Sequence, residues 1–219
     1  MSSPARALPP QMPPQGGSIL FDAREVSALS GAELIAYRAR VQLVFQDPMS
    51  ALNPRRRVGQ SIVRPVQALR RQQGGARLDA LAASLLERVG LSPSLAGRYP
   101  HELSGGQRQR VNIARALSLE PEVLIADEVT SGLDVSAQAR IVALLESLRR
   151  ETGLSLIFIS HDLSLVRSLC DDLLILRAGE VVESAPADRV FAAPAHSYTR
   201  DLLAAIPLPD PEVGWLDRV

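Results

Sequence analysis

The chain has 219 residues, 46% of them hydrophobic and 22% charged, which suits an ordinary globular domain long enough to bury a core. Its 24 basic and 24 acidic residues cancel. No polybasic signature therefore points to nucleic acid or to anionic lipid. A single cysteine, Cys170, excludes an internal disulfide framework. The three histidines, His101, His161 and His196, are too scattered for a local Cys/His metal site. No apolar run approaches the roughly 18 residues of a membrane helix. The N-terminus lacks the apolar segment of a secretory signal. These features fit a cytoplasmic protein. All 24 basic residues are arginine, so chemistry that needs a lysine has to draw it from outside these residues.

Residues 1–17 carry five prolines and a Gly-Gly pair and read as a flexible arm. Residues 18–22 read as a short strand. Residues 30–39 read as a short helix, with Ser30 as N-cap and Glu33 completing a capping box. A β-branched, aromatic run at 41–45 reads as a strand. Two prolines, Ser50 and Asn53 make 47–54 a loop. Residues 58–90 are expected to be mostly helical, broken at Gly74-Gly75, with Leu78, Leu81, Ala82, Leu85, Leu86 and Val89 at helical spacing. A further helix is expected from Gly106 to Leu119, and a strand at 123–126.

Residues 136–150 read as a helix closed by Gly153. Residues 156–160 read as a strand and 161–170 as a helix. Two strands at 173–177 and 180–184, joined by Ala178-Gly179, read as a hairpin. Helical pieces follow near 187–193 and 196–205, and the tail at 207–219 reads as irregular. Strands alternating with helices predict an α/β domain over 18–206 with a mainly parallel sheet. The helical block at about 58–118 forms a subdomain of it.

Four constellations carry chemistry. Val-Leu-Ile-Ala-Asp-Glu at 123–128 is a buried strand ending in two carboxylates. In open α/β sheets ligands bind at that end. An aspartate there can hold Mg²⁺ on a nucleotide, and a neighbouring glutamate can orient or deprotonate a water. Leu103, Ser104, Gly105, Gly106 and Gln107 run into a helix. The glycines permit close backbone approach, and the helix N-terminus favours an anion. His161 follows one strand and could bond a phosphate oxygen. Gln46 ends another strand and could touch a metal-bound water. Taken singly, a surface acid pair, a plain turn, a capping histidine and a surface glutamine explain them as well.

Their order and spacing change that. Gln46, the 103–110 segment, the acids at 127–128, Ser-Gly-Leu-Asp at 131–134 and Ser160-His161 together resemble the ATP-binding subunits of ABC transporters. Leu103 to Gln107 resemble the signature, Asp127 and Glu128 the end of the Walker B strand, and Ser131, Gly132, Leu133 and Asp134 the D-loop. Gln46 resembles the Q-loop glutamine and His161 the switch histidine. The stretches at 45–54, 99–110 and 196–207 are similar to the dipeptide, oligopeptide and nickel importer branch.

The resemblance implies ATP and Mg²⁺ as cofactors, the metal being held at Asp127 and Gln46. Glu128 and His161 would be catalytic, and the signature would act across a dimer. Implied partners are a second ABC ATPase subunit, integral membrane permease subunits and, indirectly, a solute-binding protein. No nucleic acid is implied. The location would be peripheral, on the cytoplasmic face of the membrane. Nothing in the sequence matches the phosphate loop G-x-x-x-x-G-K-[ST]. A minor departure is Val129, where the family usually has proline. Two expectations follow. Either the chain is an N-terminally truncated, incomplete ABC-type nucleotide-binding domain of a peptide or nickel importer, or it is a degenerate partner that lends its signature to an intact subunit.

Overall fold

Three parallel strands form the centre of the first unit: β1 at Val41–Val44, β2 at Val123–Asp127 and β3 at Ser155–Ile159, with β2 in the middle. The computed structural model describes residues 17–70 and 75–205, in two units that divide after Ile159. The expected arm and tail lie outside the described residues, except for Gly17. Period-2 alternation sorts the sheet residues by face. Val44, Leu124 and Ala126 share one face and are fully buried, whereas Leu43 and Ile157 on the other stay exposed. The chain is therefore α/β with a parallel sheet, as the alternation of strands and helices predicts.

The strand starts are tied together. The Glu122 amide donates to the Arg40 carbonyl, and the Ser155 amide donates to the Glu122 carbonyl. The Arg40 guanidinium binds the carboxylates of Glu122 and Asp22 and lies 4.5 Å from the centre of the Phe21 ring. That bond to Arg40 holds the Glu122 carboxyl below its ordinary range.

Helix α1, Gly31–Arg40, feeds β1 directly. Its expected capping box is not made: the Ser30 side chain caps nothing, and Glu33 is taken by Arg24 at 2.8 Å. The expected strand at 18–22 shrinks to Leu20–Phe21, paired antiparallel with Arg24–Glu25. The positive φ of Asp22 and Ala23 turns the chain back on itself there. The expected loop at 47–54 contains a one-turn helix, α2, at Pro48–Ala51. Asp47 caps it, and Pro48 occupies a first-turn position that needs no N–H.

Helices α3, Val58–Leu69, α4, Ala76–Arg88, and α5, Gly105–Leu117, pack on one another. Ile62, Val66, Leu86, Val111 and Ile113 are buried among them. Helix α6, Val135–Thr152, runs between β2 and β3. It ends at Gly153, whose φ of +67° is the left-handed C-cap expected from the sequence.

The second unit begins with α7, Leu163–Leu169, which starts two residues later than expected because Asp162 is its cap. A hairpin of Asp172–Arg177 and Glu180–Pro186 follows. Its turn residues Ala178 and Gly179 have φ of +51° and +86°, matching the sense of twist that two-residue hairpins favour. Helices α8, Ala187–Ala192, and α9, Ser197–Ala204, complete it. Among the described residues no helix is long and apolar enough to cross a membrane.

Candidate functional site

The acids at 127–128 stand where the sequence places them. Asp127 is the last residue of the central strand, and both carboxylates are partly exposed. The Glu128 amide donates to the Ile159 carbonyl at 2.9 Å, which fixes this residue to the end of β3. Glu128 has φ of +46°, an unusual conformation for a residue with a side chain. Such strain tends to collect at functional sites. The Gln46 side-chain amide, at the end of β1, donates to the Glu128 carboxylate. Two residues 82 positions apart thus meet at the carboxyl end of neighbouring strands.

Residues 103–107 and 131–134 also meet. Ser104 caps α5, accepting the Gln107 amide at 3.3 Å, while the Gln107 side-chain oxygen accepts the Ser104 amide at 2.9 Å. This is a reciprocal capping box, the device expected at Ser30 and realised here instead. Leu103 is buried beneath it. The carbonyl of Glu128 accepts the amide of Ser131, and Gly132 turns with φ of +71°. Leu133 then lies over Gly105: a Cβ there would stand 3.3 Å from the Leu133 Cδ2. A Cβ on Gly106 would stand 3.3 Å from the Cβ of Ala137. At both glycines a side chain would be a tight fit that its neighbour has to yield to by a few tenths of an ångström.

Asp134 caps α6, accepting the Ala137 amide at 2.8 Å and the Ser136 hydroxyl at 2.7 Å. The Ser136 hydroxyl and the Ala137 amide hold its carboxyl below the ordinary range. Around this junction lies an open cavity of about 200 Å³, bordered by Ser104, Gly105, Leu133, Asp134, Arg110 and Arg140. Arg110 closes the 103–110 segment, whereas Arg140, one turn into α6, carries no signal in the sequence that would place it here. Burial, and then the charge of Arg140, lowers the Arg110 pKa. His161 belongs to the second unit, where it is exposed and precedes the Asp162 cap of α7. Val129 is buried at the base of the loop that follows the acids.

The family description that matches residues 2–131 is that of the ABC transporter. The chain belongs to this family. Among curated relatives, it is 49% identical to a probable peptide ABC transporter ATP-binding protein of Sinorhizobium fredii, over 99% of this chain and 61% of that one. It is 46% identical to a putative peptide import ATP-binding protein of Brucella ovis, over 91% of this chain and 62% of that one. It is 47% identical to a glutathione import ATP-binding protein of Pectobacterium atrosepticum, over 100% of this chain and 35% of that one. The chain thus spans about six-tenths of the length of the peptide-import relatives.

Among solved structures, cbiO1 of Clostridium perfringens, part of the ABC transporter complex cbiONQ, superimposes with a TM-score of 0.73. The two are 30% identical, over 95% of this chain and 79% of that one. The ATP-binding cassette MJ0796, solved as a dimer in a post-hydrolysis state with ADP and Pi, gives a TM-score of 0.70. It is 28% identical, over 79% of this chain and 74% of that one.

Proposed function

We propose that the chain is the ATP-binding subunit, or a part of it, of an ABC transporter that imports peptides or a close chemical relative such as glutathione. The observation that carries this reading is the bond from the Gln46 amide to the Glu128 carboxylate, at the end of a strand that also presents Asp127.

The donor set fits a magnesium nucleotide. Mg²⁺ takes one or two carboxylates and completes its shell with waters and phosphate oxygens, which Asp127 with the Gln46 side-chain oxygen would satisfy. A bound magnesium nucleotide supplies the phosphoryl group to be transferred. Glu128 holds the attacking water and accepts its proton, and Gln46 fixes the orientation of that carboxylate. Ser104, its hydroxyl oxygen already accepting the Gln107 amide, keeps its O–H proton for a phosphate oxygen. His161 donates to phosphate in the assembled transporter. The subunit acts at the cytoplasmic face of the membrane, with a second ATP-binding subunit and permease subunits.

A second reading rests on the open cavity that Ser104 and Gly105 border with Arg110 and Arg140, whose two cations suit a phosphate. In it, Ser104 to Gln107 complete a nucleotide site whose phosphate loop another subunit supplies.

Glu128→Gln in the assembly purified from the native source through a tag on this chain tests the first reading. General-base assistance is worth about 10²–10⁴ in rate. Hydrolysis is expected to fall at least about a hundredfold while nucleotide remains bound. An unchanged rate overturns the assignment to Glu128. Loss on Ser104→Arg, with Glu128→Gln silent, selects the second reading.

A further inference from the structure

Helix α5 carries the signature at its N-terminus, but its buried face is unexpectedly polar farther along. Gln109, Asn112 and Arg115 follow at intervals of three, which places them on one side of the helix. Gln109 is 1% exposed and Asn112 is fully buried. Residues in such places are ordinarily apolar. The side of α5 that carries them packs on the end of β1 and on α2.

Two of the three reach main-chain carbonyls there. The Asn112 side-chain amide donates to the Phe45 carbonyl at 3.5 Å, and the Arg115 guanidinium donates to the Ala51 carbonyl. Phe45 and Ala51 bracket Gln46 and the one-turn helix α2. Both amide atoms of Gln109 and the Asn112 Oδ1 have no protein hydrogen-bond partner among the described residues, so the polar contacts of the stripe with protein are those to Phe45 and Ala51.

We propose that Asn112 and Arg115 are positioning residues that fasten the Gln46 segment to the signature helix. They fix where the Gln46 amide meets Glu128 and, through the same rigid helix, where Ser104 stands. This rests on the reading of Gln46 and Glu128 as parts of a nucleotide site. A shift of either element is then transmitted to the other by two side chains holding backbone, so the carboxylate and the signature are set together. Arg115 suits this role, since its part-buried guanidinium reaches from the helix to the carbonyl of Ala51, the last residue of α2.

The test is a double-mutant cycle on ATP hydrolysis by the native assembly. Asn112→Asp keeps the size of the side chain but replaces the donor with an acceptor. It is expected to lower kcat at least fivefold with KM for ATP within twofold. In a Gln46→Ala background it is expected to cause no further loss, because residues acting through one another are not additive. Equal factors in both backgrounds assign Asn112 to folding alone and overturn the proposal. If Gln46→Ala itself leaves hydrolysis unchanged, the nucleotide-site reading fails and the proposal falls with it. Arg115→Gln runs the same cycle should Asn112→Asp fail to fold. Hydrogen exchange on the unsubstituted assembly gives an independent check. Nucleotide is expected to change protection of residues 45–51 and 105–112 in parallel, and a change confined to one segment overturns the coupling.

Discussion

The side-chain amide of Gln46 donates to the carboxylate of Glu128, joining the ends of two strands that neighbour each other in the sheet. Gln46 is exposed and Glu128 partly so, so their bond adds little to folding stability. Its consequence is orientation. The Gln46→Ala protein is expected to keep its melting temperature within about 2 °C, since a shift of 1 kcal/mol moves such a domain by only about 2–4 °C. ATP hydrolysis by the assembly is expected to fall about tenfold, the order of one lost hydrogen bond of about 1.4 kcal/mol in the transition state. A large loss of stability with unchanged turnover would show the bond to be structural.

Gly105 and Leu133 give a second, separable prediction. Gly105 lies in α5 without a positive φ, so alanine suits its backbone and would by itself favour the helix by about 0.5–1 kcal/mol. The new Cβ, however, meets Leu133 at 3.3 Å, tighter than ordinary contact, and pushes the loop at 131–134 away from the start of α5. Gly105→Ala should therefore leave the melting temperature nearly unchanged and lower hydrolysis. Adding Leu133→Ala restores the space and should recover part of the activity. If the double variant is no better than the single one, the packing contact is not the cause.

Helix α6 follows the loop at 131–134 and ends on Gly153. With φ of +67° there, an alanine side chain costs about 1 kcal/mol. Gly153→Ala should lower the unfolding free energy by that amount in denaturant titrations while KM for ATP stays the same. A neutral or stabilising effect would mean that this end of the helix opens at little cost.

The elements that the sequence announced most clearly were those whose signals are local. The four-residue apolar run before Asp127 became the central strand, Gly153 closed α6, and Ala178-Gly179 turned the hairpin, because a buried strand or a left-handed position depends on few neighbours. The capping box failed at Ser30 because Arg24, brought near by the small hairpin, claimed Glu33. The same pattern succeeded at Ser104, where the Gln107 side chain accepts the Ser104 amide. Helix α2 was missed because two prolines suggest a loop, although one of them suits a first helical turn. Asn112 and Arg115 were illegible in principle. Polar residues on a helix read as solvent-facing until the carbonyls of Phe45 and Ala51, more than sixty positions away, are in place.

The second unit offers a prediction in pH. Glu183 accepts the backbone amides of Ala195 at 2.8 Å and His196 at 3.0 Å, bracing the hairpin against the start of α9. The Thr199 hydroxyl, these two amides and the charge of His196 hold its carboxyl down to about 2. A carboxyl lowered in the folded state stabilises that state above its unfolded pKa of about 4.3. That stabilisation is lost as pH falls from there toward 2. Replacing Glu183 with Gln keeps one acceptor oxygen but removes the charge that the Ala195 and His196 amides favour. The melting temperature of the substituted protein should lie below that of the parent at pH 7. The gap should hold to about pH 5 and then close progressively between pH 4.5 and 2 as the parent becomes protonated. Thermal melts of both proteins across that range decide the matter, and a gap that is constant from pH 7 to pH 3 would mean that the carboxylate's charge does not hold α9 to the hairpin.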